Sequence, residues 1–314
     1  MIKIYAGGIP IKQPKVKSIR VRRYRFFKYG FIVTLLLSAW LIYSNYNYMV
    51  FKILIAGNYI FTDTLSQLYK DTLGEQNFHG YYRNFDDVVI GVVSEKIRSY
   101  NQDRYTYLYT PQNYQLSKAA EIADAKTAKI QELTPDTVYM ILPNISDGTK
   151  DFVMSNRETL GKYKNLVLDL RSNYGGLLAD FYKMADLFTR RGEILGYEKY
   201  RIRLLTHPVK SGGSSYLKFD KIIILQDKNT ASAAEGLILS LKGNLDNVTT
   251  IGTKTFGKGI GQVTIPLLGG FAAKATVLLV AGPGDNSIHG IGINPDVPYN
   301  GDDIIGEALL QLSH

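Results

Sequence analysis

The sequence predicts a mixed α/β fold with its reactive loops at the ends of strands. Three observations lead there. From Thr137 onward, apolar strand-like runs (Val138–Leu142, Asn165–Leu170, Ile222–Leu225) alternate with segments whose apolar residues recur every three or four positions. Turn-forming stretches, Arg171-Ser-Asn-Tyr-Gly-Gly176 above all, follow the strands directly. No internal repeat or low-complexity tract interrupts the alternation. A chain of 314 residues has room for one large domain or two small ones.

The N-terminal part is of a different character. Residues 1–28 carry nine Lys/Arg and no acid, within a net charge of +9. The rest of the chain therefore balances 28 basic against 28 acidic side chains. The excess is a tail and not a basic groove, which argues against nucleic-acid binding by the body. Tyr29 to Phe51 is uncharged over 23 residues. At about 1.5 Å per residue such a helix spans a ~30 Å hydrocarbon layer. The basic flank and Tyr43, Tyr46 and Tyr48 fit the positive-inside rule and an interfacial aromatic belt. The expectation is a single-pass anchor with a cytoplasmic N-terminus and an extracytoplasmic body. A cleaved secretory signal is the alternative, without an evident small-x-small cleavage site after Tyr43.

Between the anchor and the α/β part, residues 52–136 read as a helical region and linker. Thr64–Leu73 and Phe85–Tyr100 have helical spacing, Pro111 is placed to start a short helix, and Lys118–Glu132 is weakly patterned. From 137 to 314 the order is strand Val138–Leu142, helix Thr149–Lys162, strand Asn165–Leu170 and helix Leu177–Phe188. Strands Ile194–Leu205 and Ile222–Leu225 follow, then a helix beginning Ala-Ala-Glu after Ser232. Strands at Val248–Gly252, Gln262–Pro266 and Phe271–Val280 precede a last helix, Ile304–Leu312, capped by Asp302.

The chemistry concentrates between Asn229 and Gln262. Ser232 stands between a strand and a helix, where free backbone N–H groups and the helix dipole favour negative charge. Lys258 lies in a glycine-rich turn beside Phe256, without a carboxylate in its own segment, a setting dry enough for a neutral base. The plain alternatives are a helix N-cap and a solvated turn lysine. Gly252-x4-Gly-Lys258 imitates a phosphate-binding loop, but Gly259 replaces the metal-binding hydroxyl and a strand follows in place of a helix. Ser215-Tyr-Leu-Lys218 matches Ser-x-x-Lys without its companion motifs. His79, His207, His289 and His314 form no metal-ligand pattern, although His207 and His289 stay open as bases for a serine. No cysteine is present, which removes thiol chemistry, and neither metal nor cofactor is expected.

Four blocks carry a family resemblance. Leu168-Asp-Leu-Arg-Ser-Asn-Tyr-Gly-Gly, Asn229-Thr-Ala-Ser-Ala-Ala-Glu, Thr255-Phe-Gly-Lys-Gly-Ile-Gly-Gln and Gly290-Ile-Gly-Ile-Asn-Pro-Asp-Val resemble, in order, those of the carboxyl-terminal processing proteases, peptidase family S41. The resemblance implies a core similar to the ClpP/crotonase group and a serine endopeptidase acting on protein or peptide substrates. It implies Ser232 as nucleophile, Lys258 as general base and Gln262 as the residue orienting the lysine. It also implies an oxyanion hole from the N–H groups of Ala233 and Gly175 or Gly176. A catalytically silent tethered scaffold and a non-peptide acyl hydrolase are the alternatives. The stretch between Leu116 and Val138 is too short for the PDZ domain of that family. Cleavage is therefore expected to ignore the substrate's C-terminal carboxylate, and any adaptor or oligomeric partner stays open.

Overall fold

The computed structural model describes residues 5–6, 9–10, 16–61, 103–123, 128–213 and 217–313. The chain divides into two compact units, residues 1–49 and 50–314. The first holds a two-residue hairpin, β1 (Tyr5–Ala6) with β2 (Ile9–Pro10), and the long helix α1 (Val16–Ser44). Within α1, Arg23–Ser44 has a mean hydropathy of 1.6, and its large apolar side chains, such as Phe31, Leu36 and Trp40, are exposed. The helix begins before the uncharged span and stops inside it. Asn45 turns its amide onto the Leu41 carbonyl at 2.7 Å, and α2 (Tyr46–Lys52) starts beyond the break. Short polar side chains compete locally for helical carbonyls, and Ser44, Asn45 and Asn47 cluster here.

In the second unit a π-helical turn (Ile53–Asn58) leads to Tyr59, fully buried, whose hydroxyl donates to Asp103 at 2.9 Å. The expected helices Thr64–Leu73 and Phe85–Tyr100 lie outside the described residues. Beyond them the helical-linker expectation fails. Tyr107–Tyr109 is a strand, β3, and Lys129–Thr134 another, β4, on either side of α3 (Pro111–Ala123), which Pro111 does begin. β4 is largely exposed at a sheet edge, so it shows no apolar alternation to read. α3 and β4 fill most of the stretch between Leu116 and Val138.

The rest follows the expected alternation with shifted ends: β5 (Thr137–Ile141), α4 (Asp147–Ser155), α5 (Arg157–Leu160), β6 (Asn165–Asp169), α6 (Leu178–Asp186) and β7 (Ile194–Tyr200). The single helix expected over Thr149–Lys162 is two, because Asn156 leaves helical geometry and its amide caps the Phe152 carbonyl at 2.8 Å. The long strand expected over Ile194–Leu205 stops at Tyr200, turns through Arg203–Leu205, and returns as β8 (His207–Lys210). Then come β9 (Lys221–Gln226), α7 (Ala233–Asn244), β10 (Val248–Gly252), β11 (Ile260–Pro266), β12 (Ala272–Ala281), β13 (Val297–Pro298) and α8 (Ile304–Ser313). Asp303, not Asp302, caps α8: its carboxylate accepts from the Gly306 N–H at 2.8 Å.

Two sheets result. One has the order β13-β10-β9-β6-β5-β4, parallel except for the edge strand β4. The other runs β11-β12-β7-β8, antiparallel, with β3 also paired to β12. In the parallel sheet, Leu166–Asp169 and Ile222–Gln226 are buried at every position. Strands covered on both faces lose alternation and become continuous apolar runs. On one side, Val167, Ile223, Leu225 and Ile251 pack with Ile304 and Ala308 of α8. α7 packs on α6 and reaches β7, β10 and β12, so it bridges the two sheets.

Candidate active site

The connection from β9 to α7 sets Ser232 in an unusual backbone state. Its φ of 57° and ψ of −119° are left-handed for a residue that carries a Cβ. Such a conformation costs on the order of 1–3 kcal/mol and persists only where the surroundings over-determine it. They do so here. The Asp227 carboxylate accepts from the N–H groups of Asn229 and Thr230 at 2.9 Å and of Ser172 at 3.0 Å. The Thr230 hydroxyl donates to the Leu170 carbonyl at 2.8 Å, and the Ala231 N–H to the Asn173 carbonyl at 2.9 Å. The loop after β6 and the loop after β9 are thereby stitched into one platform. Gly175 and Gly176 lie on it for want of space: a Cβ at Gly175 would meet the Ala231 carbonyl oxygen at 2.6 Å, and one at Gly176 the Ile145 carbonyl oxygen at 1.7 Å.

Glu235, on the first turn of α7, joins the two halves of the site. It is 0% exposed, and its carboxylate is saturated by four donors. One oxygen accepts from the Thr255 hydroxyl at 2.6 Å and the Gly257 N–H at 2.7 Å. The other accepts from the Ser232 N–H at 2.9 Å and the Lys258 N–H at 2.8 Å. A buried carboxylate is tolerated only when hydrogen-bonded in this way. Glu235 thus fixes the main chain of Ser232 to that of Lys258, 26 residues further along the sequence. Sequence reasoning passed over it, although Ser232-x-x-Glu235 carries the capping-box spacing that could have revealed it.

Lys258 is half-buried in the turn between β10 and β11. Its ammonium lies 4.8 Å from the ring centroid of Tyr105. Burial, followed by the like charges of Lys274 and Arg104, lowers its pKa from 10.5 to about 8 against the opposing pull of Asp103 and Glu235. Among the described residues no carboxylate forms an ion pair with it. Gln262, expected to orient this amine, donates to the Tyr105 carbonyl at 2.6 Å. It therefore acts on the residue whose ring packs against the lysine. The segment is held down by buried Asp103, which accepts from the Tyr105 N–H at 3.0 Å and the Thr106 hydroxyl at 2.6 Å.

Ser232, Ala233, Gly175, Gly176, Lys258 and Gln262 all line one cavity of about 410 Å³. The Gly175 N–H is taken by the Asn173 side chain at 2.8 Å, whereas Gly176 is exposed. His207 lies elsewhere, its Nδ1 2.8 Å from the Leu205 carbonyl. His289 stacks on Phe61 with Nδ1 buried and unpartnered, and burial lowers its pKa. Neither lines the cavity. Gly252–Lys258 leads into β11 and not into a helix, so no phosphate cradle forms. Ser215 lies outside the described residues. Among the described residues no cluster of three potential ligands could hold a metal ion.

Residues 136–299 match the model of peptidase family S41. A carboxy-terminal-processing protease of Bartonella bacilliformis is 36% identical over 160 residues, 48% of this chain and 36% of that protein. The chain thus spans about a third of the length of that relative. Among solved structures, a lipoprotein from Streptococcus agalactiae aligns over 86% of this chain and 96% of its own, with a TM-score of 0.64 at 20% identity. A photosystem II D1 C-terminal processing protease aligns over 52% of this chain and 42% of its own, at 27% identity and a TM-score of 0.45.

Proposed function

The chain belongs to peptidase family S41, and from that premise we propose that it is a serine endopeptidase working through Ser232 and Lys258. One observation carries the reading: an amine with a pKa of about 8, and no acid partner among the described residues, shares a cavity with a serine at a helix N-terminus. At pH 7.5 roughly a quarter of such lysines are neutral, against about one in a thousand at the ordinary value. Lys258 takes the Ser232 hydroxyl proton as the oxygen attacks a peptide carbonyl. The N–H groups of Ala233 and Gly176 bear the oxyanion, Gly175 being engaged with Asn173. The protonated lysine then returns its proton to the leaving amine, and water, activated by the same base, hydrolyses the acyl-enzyme. Exposed Tyr174 and Leu177 on the cavity rim suit the apolar side chains of an extended peptide.

The core is read as ClpP/crotonase-like. α1 is read as the membrane anchor, with the basic N-terminus cytoplasmic and the second unit outside, acting on extracytoplasmic proteins. The apolar, exposed surface of Arg23–Ser44 supports this. The test of the chemistry is a fluorophosphonate probe together with hydrolysis of an unfolded protein substrate. Labelling of Ser232 with turnover is expected; neither labelling nor turnover would leave the tethered-scaffold reading. Topology is tested in spheroplasts, where external protease should digest the second unit and spare residues 1–28. Protection of the second unit would overturn the anchor reading.

A further inference from the structure

The cavity holds a second lysine. Lys274 lies on β12, opposite Thr264 of β11 on one side and Tyr107 of β3 on the other. It is half-buried and lines the same cavity as Ser232. Its ammonium stands 5.7 Å from the ring centroid of Tyr107 and 6.0 Å from that of Tyr109, whose hydroxyls bond each other at 2.7 Å.

Three buried acids, two that act on Lys258 and one in the cavity wall, are engaged elsewhere. Glu235 is filled by its four donors. Asp103 accepts from Tyr59, Tyr105 and Thr106, and from the Thr276 hydroxyl at 3.3 Å. Asp180, at the cavity wall, pairs with Lys183 at 3.1 Å. Among the described residues Lys274 has no acid within ion-pair distance. A partly desolvated ammonium without a counter-charge is costly, and an incoming carboxylate with its charge-assisted bonds relieves that cost.

We propose that Lys274 is a carboxylate-binding subsite of this cleft. The peptide it favours presents a carboxylate a few residues from the scissile bond. This rests on the peptidase reading and names its substrate class. Lys274 is level with Thr264, two residues and so about 7 Å along β11 from Gln262. Within one cavity that also holds Ser232, this places the ammonium to one side of the serine and not upon it. This reading runs against the expectation that cleavage ignores the substrate's C-terminal carboxylate, and one set of peptides decides between them.

The probes are quenched fluorogenic peptides of one sequence in three forms: free C-terminal acid, C-terminal amide, and an amide whose last residue is Glu. We expect kcat/KM for the acid to exceed that for the amide by tenfold or more, mostly through KM. Lys274→Met should bring the ratio to about one, and Lys274→Arg should restore part of it. The ratio is the useful quantity, because losing Lys274 also raises the pKa of Lys258 and slows both peptides alike. Recovery with the Glu amide identifies a side-chain carboxylate as an acceptable ligand; activity on the acid alone identifies the chain terminus. Binding of the same peptides to the Ser232→Ala chain, followed by fluorescence anisotropy, separates the two readings. Equal affinity for acid and amide there overturns the Lys274 subsite, whatever happens to turnover. A retained preference there, in a wild-type chain that neither cleaves nor labels, overturns the peptidase and leaves the subsite standing.

Discussion

The two halves of the site are built in opposite ways. On the serine side, short loops hold the chain in a strained state, and nearly every donor and acceptor is accounted for: Asp227, Thr230, Asn173 and Glu235 each close a defined bond. On the lysine side, the important feature is what has been withheld. The amine has an aromatic ring beside it, two cations nearby and, among the described residues, no acid to pair with. A nucleophile has to be aimed, which calls for many bonds, whereas a neutral base has to be kept dry, which calls for few.

Substitutions at the reacting groups should have the largest effects and should leave the fold intact. Ser232→Ala is expected to lower kcat by roughly 10⁴-fold or more, and Lys258→Ala by about 10²–10⁴-fold. Lys258→Arg should be as inactive as Lys258→Ala, because a guanidinium does not deprotonate in this range. Steady-state hydrolysis with circular dichroism on each variant measures both points; an active Lys258→Arg chain would remove the lysine from its role.

Glu235→Gln tests the join between the halves. An amide cannot accept all four bonds, so at least one buried donor pair is left facing an N–H. The expected loss is about 2–4 kcal/mol, or roughly 5–15 °C in the midpoint of thermal unfolding. An unchanged midpoint would mean that the serine and lysine segments are held together by something else.

The lysine side should instead respond through pH. Its neutral form is the active one, so kcat/KM is expected to rise with pH and level off above about 8. The folded-state pKa lies below the ordinary 10.5, so the unfolded chain binds more protons between the two values. This group therefore makes the fold more stable as pH rises from about 8 to 10.5. The smallest effect is expected from Arg104→Gln. Removing that like charge should move the kinetic midpoint upward by a few tenths of a unit, since the residue is exposed and screened. A profile that ignores both Arg104 and Lys274 would leave burial as the sole cause of the depressed pKa.

The same contrast decided what could be read from sequence. Ser232 is legible because its own segment is distinctive, an apolar strand, a turn and an Ala-rich helix within a dozen or so residues, although the bonds to Leu170, Ser172 and Asn173 that hold the loop are long-range. Glu235 was legible in principle, three positions on, but looked like an ordinary helix residue. The environment of Lys258 was not legible, because it is delivered by Tyr105, bonded to Gln262 across 157 residues of sequence. β3 escaped for the same reason: three residues have no period, and only pairing with β12 makes them a strand. Gln262 was found as a residue of the site, yet its partner is the Tyr105 carbonyl and not the amine.

The family match begins at residue 136, but the ring against the Lys258 amine comes from residues 103–109, which Asp103 anchors through Thr276 of β12. A chain trimmed to the matched segment would lose the Tyr105 ring beside the amine and the Asp103 carboxylate that holds it down, and with them α8, whose Ile304 and Ala308 pack on the parallel sheet. The border of the recognisable enzyme and the border of the working one are thus different lines on the same chain.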